Sequence, residues 1–132
     1  MTGISGAAIL ERALRVLPAL LYLAFIWGMS GLHATELSNV DFDDRLAHFG
    51  EYGLLALLLV FALTAFDPER VHARSLLLAG AISIGWGALD EIHQSWVPGR
   101  DSSVKDFAFD ALGTVAALAA TAWLARRQRS AR

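Results

Sequence analysis

The sequence contains no cysteine, which excludes a disulfide framework, a thiolate nucleophile and a zinc–thiolate site. Proline is scarce, with three residues in 132, and no stretch rich in proline, glycine or serine divides the chain. We therefore expect one domain over residues 1–132. Charge is also scarce, since charged residues make up 18% of the chain. The formal net charge is −2 and the arginines form no surface stripe, so we do not expect a nucleic-acid partner.

Most residues of the chain are apolar. Hydrophobic residues make up 55% of the chain and the mean hydropathy is +0.46, whereas soluble domains are roughly 45–50% apolar. Four runs, at about 14–31, 49–66, 75–92 and 107–125, are long enough to be membrane helices. We predict an all-α integral membrane protein, a four-helix bundle. The alternative is a soluble helical protein with these runs in its core, but run length and charge asymmetry favour the membrane.

Local signals mark the ends of these helices. Pro18 is placed in the first turns of the first run, where its missing N–H costs little. Asp67-Pro68 stops the second run. Ser103, followed three residues later by Asp106, resembles a capping box at the start of the fourth run. The residues from Arg126 to Arg132 are expected to form a basic tail.

Basic residues divide unevenly between the two sides of such a bundle. The first run exceeds the roughly 7–15 apolar residues of a signal peptide and no clear A-x-A site follows, so we expect an uncleaved helix. The side with both termini carries Arg12, Arg15, Arg70, Arg74, Arg126, Arg127, Arg129 and Arg132, and the opposite side carries Arg45, Arg100 and Lys105. The positive-inside rule then places both termini in the cytoplasm and the two longer loops outside.

The second run opens with a polar stripe. Asp44 and His48 are i,i+4 neighbours, and Glu51 and Tyr52 follow His48 by three and four residues. An imidazole beside a carboxylate is oriented and held basic, which suits proton transfer or binding of phosphate oxygens. The alternative is a structural hydrogen-bonding histidine. The presence of Glu51 favours a functional role for His48, because ionisable groups within membrane spans usually belong to a functional site.

The third run ends in a dense polar segment. Gln94 lies one turn beyond both Asp90 and Glu91, and these adjacent carboxylates must point in different directions on a helix. One is expected to face the bundle and the other a neighbouring helix or the loop arginine. The turn dipeptide Pro98-Gly99 returns Arg100 to the bilayer surface. Arg100 either neutralises a carboxylate to fix the loop or binds a phosphate through its planar guanidinium.

The fourth run begins with a face that carries Asp106, Asp110 and Gly113. Asp106 suits a helix start, where the helix dipole favours negative charge. Asp110 lies one turn deeper and needs a partner such as His48, Arg100 or a metal. Gly113 allows another helix to approach closely.

Two chemistries lack a sequence signal. Oxygen and nitrogen donors are present in Asp44, His48, Glu51, Asp90, Glu91 and Asp110, but without a spacing such as H-E-x-x-H, so we assign no metal site. The sequence does not identify a cofactor. No G-x-S-x-G sequence surrounds Ser95, Ser102 or Ser103, which argues against a serine hydrolase. The four tryptophans are expected at the membrane interface or in packing, with Trp96 in the outer belt.

Three elements together resemble the VanZ-like family of small membrane proteins. They are D-x-x-x-H-F-x-x-Y at 44–52, D-E-x-x-Q-x-x-x-P-G-R at 90–100, and, at 106–113, the family's D-x-x-x-N-x-x-G with Asp110 in place of the usual Asn. The resemblance implies a multi-pass protein of the bacterial cytoplasmic membrane with the motif loops outside. It also implies a connection with the cell envelope, because the family is named for a component associated with resistance to glycopeptides, notably teicoplanin.

Three hypotheses for function stay open at this point. In the first, an outer-face pocket binds the head group of a phospholipid, a lipid-linked precursor or a lipoglycopeptide. In the second, the protein is an enzyme that hydrolyses or transfers a lipid head group. In the third, the polar residues hold the bundle together and the protein assists a partner in a membrane complex.

The first two hypotheses assign roles to particular residues. The catalytic candidates are His48 as acid/base, with Glu51 or Asp90 tuning it. The binding candidates are Asp44, Tyr52, Glu91, Gln94, Arg100, Asp106 and Asp110.

Overall fold

The computed structural model describes residues 5–32, 44–100 and 102–132. These residues form α1 (Gly6–Ser30), α2 (Asp44–Thr64), a short 3₁₀ helix (Pro68–Arg70), α3 (Ala73–Gln94) and α4 (Val104–Ser130). The all-α class is confirmed. Each predicted apolar run overlaps one of the four long helices. All four helices begin before their runs, and the first two end one and two residues before their runs end.

Helix α1 begins eight residues before the predicted start at residue 14. The Ser5 hydroxyl accepts a hydrogen bond from the Ala8 N–H at 3.3 Å and caps the helix. One turn later, Glu11 and Arg15 form an i,i+4 ion pair at 3.6 Å. The prediction for Pro18 was therefore wrong: this proline lies inside the helix, where it has no N–H to donate to the preceding turn.

Helix α2 begins at Asp44, earlier than the predicted residue 49, and ends at Thr64. It stops there because Ala65 and Phe66 adopt left-handed conformations, with φ of 53° and 55°. The 3₁₀ helix follows, and the Asp67 side chain accepts a hydrogen bond from the Glu69 N–H at 3.0 Å. The predicted stop at Asp67-Pro68 is thus two residues late.

Helix α4 continues to Ser130, so the predicted basic tail is mostly helical. Its Arg129 guanidinium donates to the carbonyls of Pro68 and, at 3.2 Å, Val71. These bonds tie the end of α4 to the α2–α3 connection. At the other end of α4, the Ser103 hydroxyl accepts from the N–H groups of Lys105 and Asp106, which is one half of the predicted capping box. The Ser103 N–H donates to Glu91 and not to the Asp106 side chain.

Helix α2 packs against all three other long helices, and its interface with α4 is the most extensive. Gly113 makes this close approach possible, because a Cβ atom there would lie 2.0 Å from the Phe49 carbonyl oxygen. The buried apolar core includes Ile26, Tyr52 and Val60. Long helices that are consecutive in the chain run in opposite directions, so the starts of α2 and α4 and the ends of α1 and α3 share one end of the array, and α2 and α4 are parallel.

Residues 45–64, 73–94 and 104–130 form helices that are long and apolar enough to cross a membrane. Large apolar side chains such as Leu77 and Val115 are exposed on them, as expected where lipid replaces water. A fourth span in α1, a closed bundle and the cytoplasmic position of both termini stay predictions.

Candidate functional site

Polar side chains from three helices and one loop gather where α2 and α4 begin and α3 ends. We call this set the polar cluster. Its members are His48, Glu51 and Tyr52 from α2, Asp90, Glu91 and Gln94 from α3, Arg100 from the α3–α4 loop, and Asp110 from α4. Contacts and electrostatic interactions among these side chains place them in one region of the fold.

The centre of the polar cluster is a contact between His48 and Asp110. His48 Nδ1 lies 2.8 Å from Asp110 Oδ1, and the two residues are 5% and 0% exposed. Gly87 leaves room for the carboxylate, because a Cβ atom at Gly87 would lie 3.0 Å from Asp110 Oδ2. His48 is therefore the partner of Asp110, one of those expected from the sequence.

Both carboxylates at the end of α3 are buried, although they point in different directions. Asp90 Oδ2 accepts a hydrogen bond from Gln94 Nε2 at 3.0 Å, one turn further along the helix. Glu91 Oε2 accepts from the Ser103 N–H at 2.7 Å. Glu91 thus holds the residue that caps α4, which fixes the end of α3 against the start of α4.

Several buried polar atoms of the cluster have no hydrogen-bond partner within the part of the chain that the structure describes. They are Tyr52 Oη, Asp90 Oδ1, Glu91 Oε1 and Asp110 Oδ2. Leaving such a group unsatisfied costs about 1–3 kcal/mol, and more when it is charged. Four such atoms in one cluster are unusual, because buried polar groups normally have partners.

Arg100 follows a tight turn that directs it back to the cluster. Its N–H donates to the Val97 carbonyl at 3.1 Å, and Gly99 has a φ of 80°, a left-handed conformation that favours glycine. The half-buried Arg100 interacts electrostatically with Glu51. No ion pair of its guanidinium forms with a carboxylate in residues 5–32, 45–100 or 102–132.

Two other candidate residues lie at the margin. Asp44 is the first residue of α2, but its side chain lies outside the described part, so its predicted pairing with His48 stays a prediction. Asp106 lies in the first turn of α4, half-buried, and interacts electrostatically with Glu91. It is therefore placed beside the polar cluster, where it also favours the helix dipole.

One contact at the same end was not anticipated from the sequence. Ser30 Oγ lies 2.8 Å from His93 Nδ1, and the His93 ring stacks on Trp27 with centroids 4.0 Å apart. This contact fixes the end of α1 on α3. The only sequence signal is the i,i+3 spacing of Trp27 and Ser30, which puts them on one face of α1.

The predicted membrane-interface position suits Trp96, which is 73% exposed in the turn after α3. Trp123 is half exposed, and the Arg127 guanidinium lies 4.6 Å from the centre of its ring. Trp27 packs against both Trp86 and His93. Trp96 and Trp123 are thus on the surface, whereas Trp27 serves helix packing.

A family model described as VanZ/LLP1 matches residues 8–125. No curated protein and no solved structure matches the chain significantly. The matched region contains every residue of the polar cluster and nearly all of the four helices. Because the match covers most of the sequence, the chain belongs to the VanZ-like family.

Proposed function

We propose that the polar cluster binds the phosphate-bearing head group of an amphiphilic molecule of the bacterial envelope, a phospholipid or a lipid-linked precursor. The observation that carries the proposal is the set of buried, unpartnered polar atoms at the end of helices that are otherwise apolar. Hydroxyl or ammonium donors of the head group would bind the unpartnered carboxylate oxygens, its phosphate would bind Arg100, and the exposed apolar helix faces would contact the lipid chain.

Arg100 is the residue that would recognise the phosphate. Its guanidinium offers a planar fork of donors that matches two phosphate oxygens. The arginine is half-buried and forms no ion pair with the described carboxylates, so binding need not break one. Gln94 donates to Asp90 at 3.0 Å, and its amide has a second N–H that can donate to a phosphate oxygen.

The proposal places the polar cluster at the outer surface of the cytoplasmic membrane. Eight arginines lie on the end that carries the termini and the α2–α3 connection, whereas the cluster lies at the opposite end. The positive-inside rule then orients the cluster outward. Glycopeptide resistance, which the family name suggests, would be one consequence of binding an envelope precursor or a lipoglycopeptide.

The test is native mass spectrometry of purified, delipidated protein titrated with a phospholipid and, separately, with a lipid pyrophosphate. We expect a one-to-one adduct whose affinity falls about tenfold or more in Arg100→Ala, because hydrogen bonds to charged groups contribute about 1.5–3 kcal/mol. Arg74→Ala is the matched control, since it removes an exposed arginine from the opposite end. Equal binding by all three proteins would overturn the proposal.

A second candidate function is supported by the buried contact of His48 with Asp110 at 2.8 Å. An imidazole oriented by a carboxylate is a common general acid/base, so the protein would hydrolyse or transfer a lipid head group. The orienting residue would then be Asp110 rather than the predicted Glu51 or Asp90. Release of product from a phospholipid by the wild type, and its loss in His48→Ala, would establish this; no product from either would exclude it for that lipid.

A further inference from the structure

Three of the buried side chains in the polar cluster come from three different helices and meet at one point. His48 of α2, Glu91 of α3 and Asp110 of α4 each offer a ligand atom, and these atoms lie within 4.8 Å of one another. Ligand atoms of a tetrahedral ion with bonds of about 2.1 Å are about 3.4 Å apart. Small side-chain movements would therefore bring the three atoms to coordination distance.

The hydrogen-bond pattern points to the same place. Asp110 Oδ1 contacts His48 and Glu91 Oε2 accepts from Ser103, so each carboxylate is anchored through one oxygen. The second oxygen of each, Asp110 Oδ2 and Glu91 Oε1, is buried without a hydrogen-bond partner among the described residues. An anchored carboxylate with a second, unsatisfied oxygen has the arrangement of a metal ligand fixed by its surroundings.

Charge gives a further reason for a cation. Asp90, Glu91 and Asp110 are 3%, 8% and 0% exposed, and they repel one another electrostatically. Glu51 adds a fourth carboxylate to this field, opposed there by His48 and Arg100. Buried carboxylates persist when they are paired, neutralised or bound to a metal.

We propose that His48, Glu91 and Asp110 bind one divalent transition-metal ion of the zinc or manganese type. One imidazole nitrogen and two carboxylate oxygens form a borderline donor set that suits these ions, whereas calcium and magnesium favour oxygen ligands alone. The absence of cysteine excludes thiolate ligands. Three protein ligands leave coordination positions for water or another oxygen donor. The proposal does not require that the protein binds lipid.

The test uses full-length protein purified in detergent with a tag that contains no histidine, stripped with a chelator and titrated with Zn²⁺ or Mn²⁺. We expect saturation at one ion per chain. Glu91→Gln and Asp110→Asn should each lower the affinity for the metal ion by at least about tenfold. Loss of a residue that only supports a metal ligand already lowers affinity by about tenfold, and these variants change a ligand itself. Glu69→Gln, an exposed change on the 3₁₀ helix at the opposite end, should leave the affinity unchanged.

If a variant fails to fold, the visible absorption spectrum of Co²⁺ bound to the wild type alone tests the proposal. Co²⁺ in a low-coordinate site with a histidine ligand gives visible absorption far stronger than that of the hydrated ion, and we expect this absorption to saturate at one equivalent. Saturation of Zn²⁺, Mn²⁺ and Co²⁺ binding well below one ion per chain would overturn the proposal. Unchanged affinity in folded Glu91→Gln and Asp110→Asn would also overturn it.

Discussion

Replacing Gly113 with alanine should force α2 and α4 apart at the base of the polar cluster. The added Cβ atom would lie 2.0 Å from the Phe49 carbonyl oxygen and 3.0 Å from Phe49 Cα. Both atoms belong to a helix backbone that cannot rotate away as a side chain would. An ordinary contact therefore requires a separation of more than about 1 Å at the interface where α2 and α4 pack most extensively.

The expected loss of stability follows from two opposing effects. Overpacking a well-packed interface costs about 1–3 kcal/mol or more, whereas replacing glycine by alanine inside a helix gains up to about 1 kcal/mol. We therefore expect Gly113→Ala to lose up to about 3 kcal/mol of unfolding free energy. Since Asp110 lies one turn from Gly113, we also expect the contact between His48 and Asp110 to lengthen.

Gly85→Ala is the matched control for this prediction. It lies within α3, and an added Cβ atom there would have no neighbour within 4 Å, so only the gain in helix propensity applies. The assay is thermal unfolding in detergent, followed by circular dichroism at matched protein concentration. The reasoning is refuted if Gly113→Ala unfolds at the same temperature as Gly85→Ala or above it.

Two further perturbations test the arrangement of the two ends. The chain has no native cysteine, so a single cysteine introduced at an exposed site shows on which side of the membrane that site lies. A membrane-impermeant maleimide should label Ser102→Cys in intact cells and leave Glu69→Cys unlabelled. The reverse result would show that the topology is inverted. Arg129→Ala removes hydrogen bonds to the carbonyls of Pro68 and Val71 and should lower the unfolding free energy by about 1–3 kcal/mol. It should also speed hydrogen exchange in the α2–α3 connection, whereas equal exchange in wild type and variant would show that Arg129 does not hold it.

The positions of the four helices could be predicted from the sequence because apolar runs report directly which segments avoid water. Their ends could not, because helices extend into polar turns that hydropathy does not register. The turns before residue 14 are stabilised by the Ser5 cap and the pair of Glu11 with Arg15. The turns after residue 125 include Arg129, which binds the α2–α3 connection.

The candidate site was predictable within each helix and less so between helices. Spacing along α3 placed Asp90 beside Gln94, and the 3.0 Å hydrogen bond between them is present. Spacing cannot specify which residues of different helices meet, since that depends on helix crossing and rotation. His48 was one of three partners considered for Asp110, and the convergence of Glu91 on this pair gave no signal in the sequence.

The measurement that most directly tests whether the polar cluster is a ligand site, rather than internal packing, is the thermal stability of Glu91→Gln with and without ligand. The amide keeps an oxygen to accept from the Ser103 N–H and removes a buried charge whose other oxygen has no partner in the described structure. Groups placed for function commonly lower the stability of the unliganded protein.

We therefore predict that unliganded Glu91→Gln unfolds at or above the wild-type temperature and loses the stabilisation that Zn²⁺ or Mn²⁺ gives the wild type. An unliganded variant that unfolds clearly below the wild type, together with a wild type that no metal ion or head group stabilises, would contradict the account.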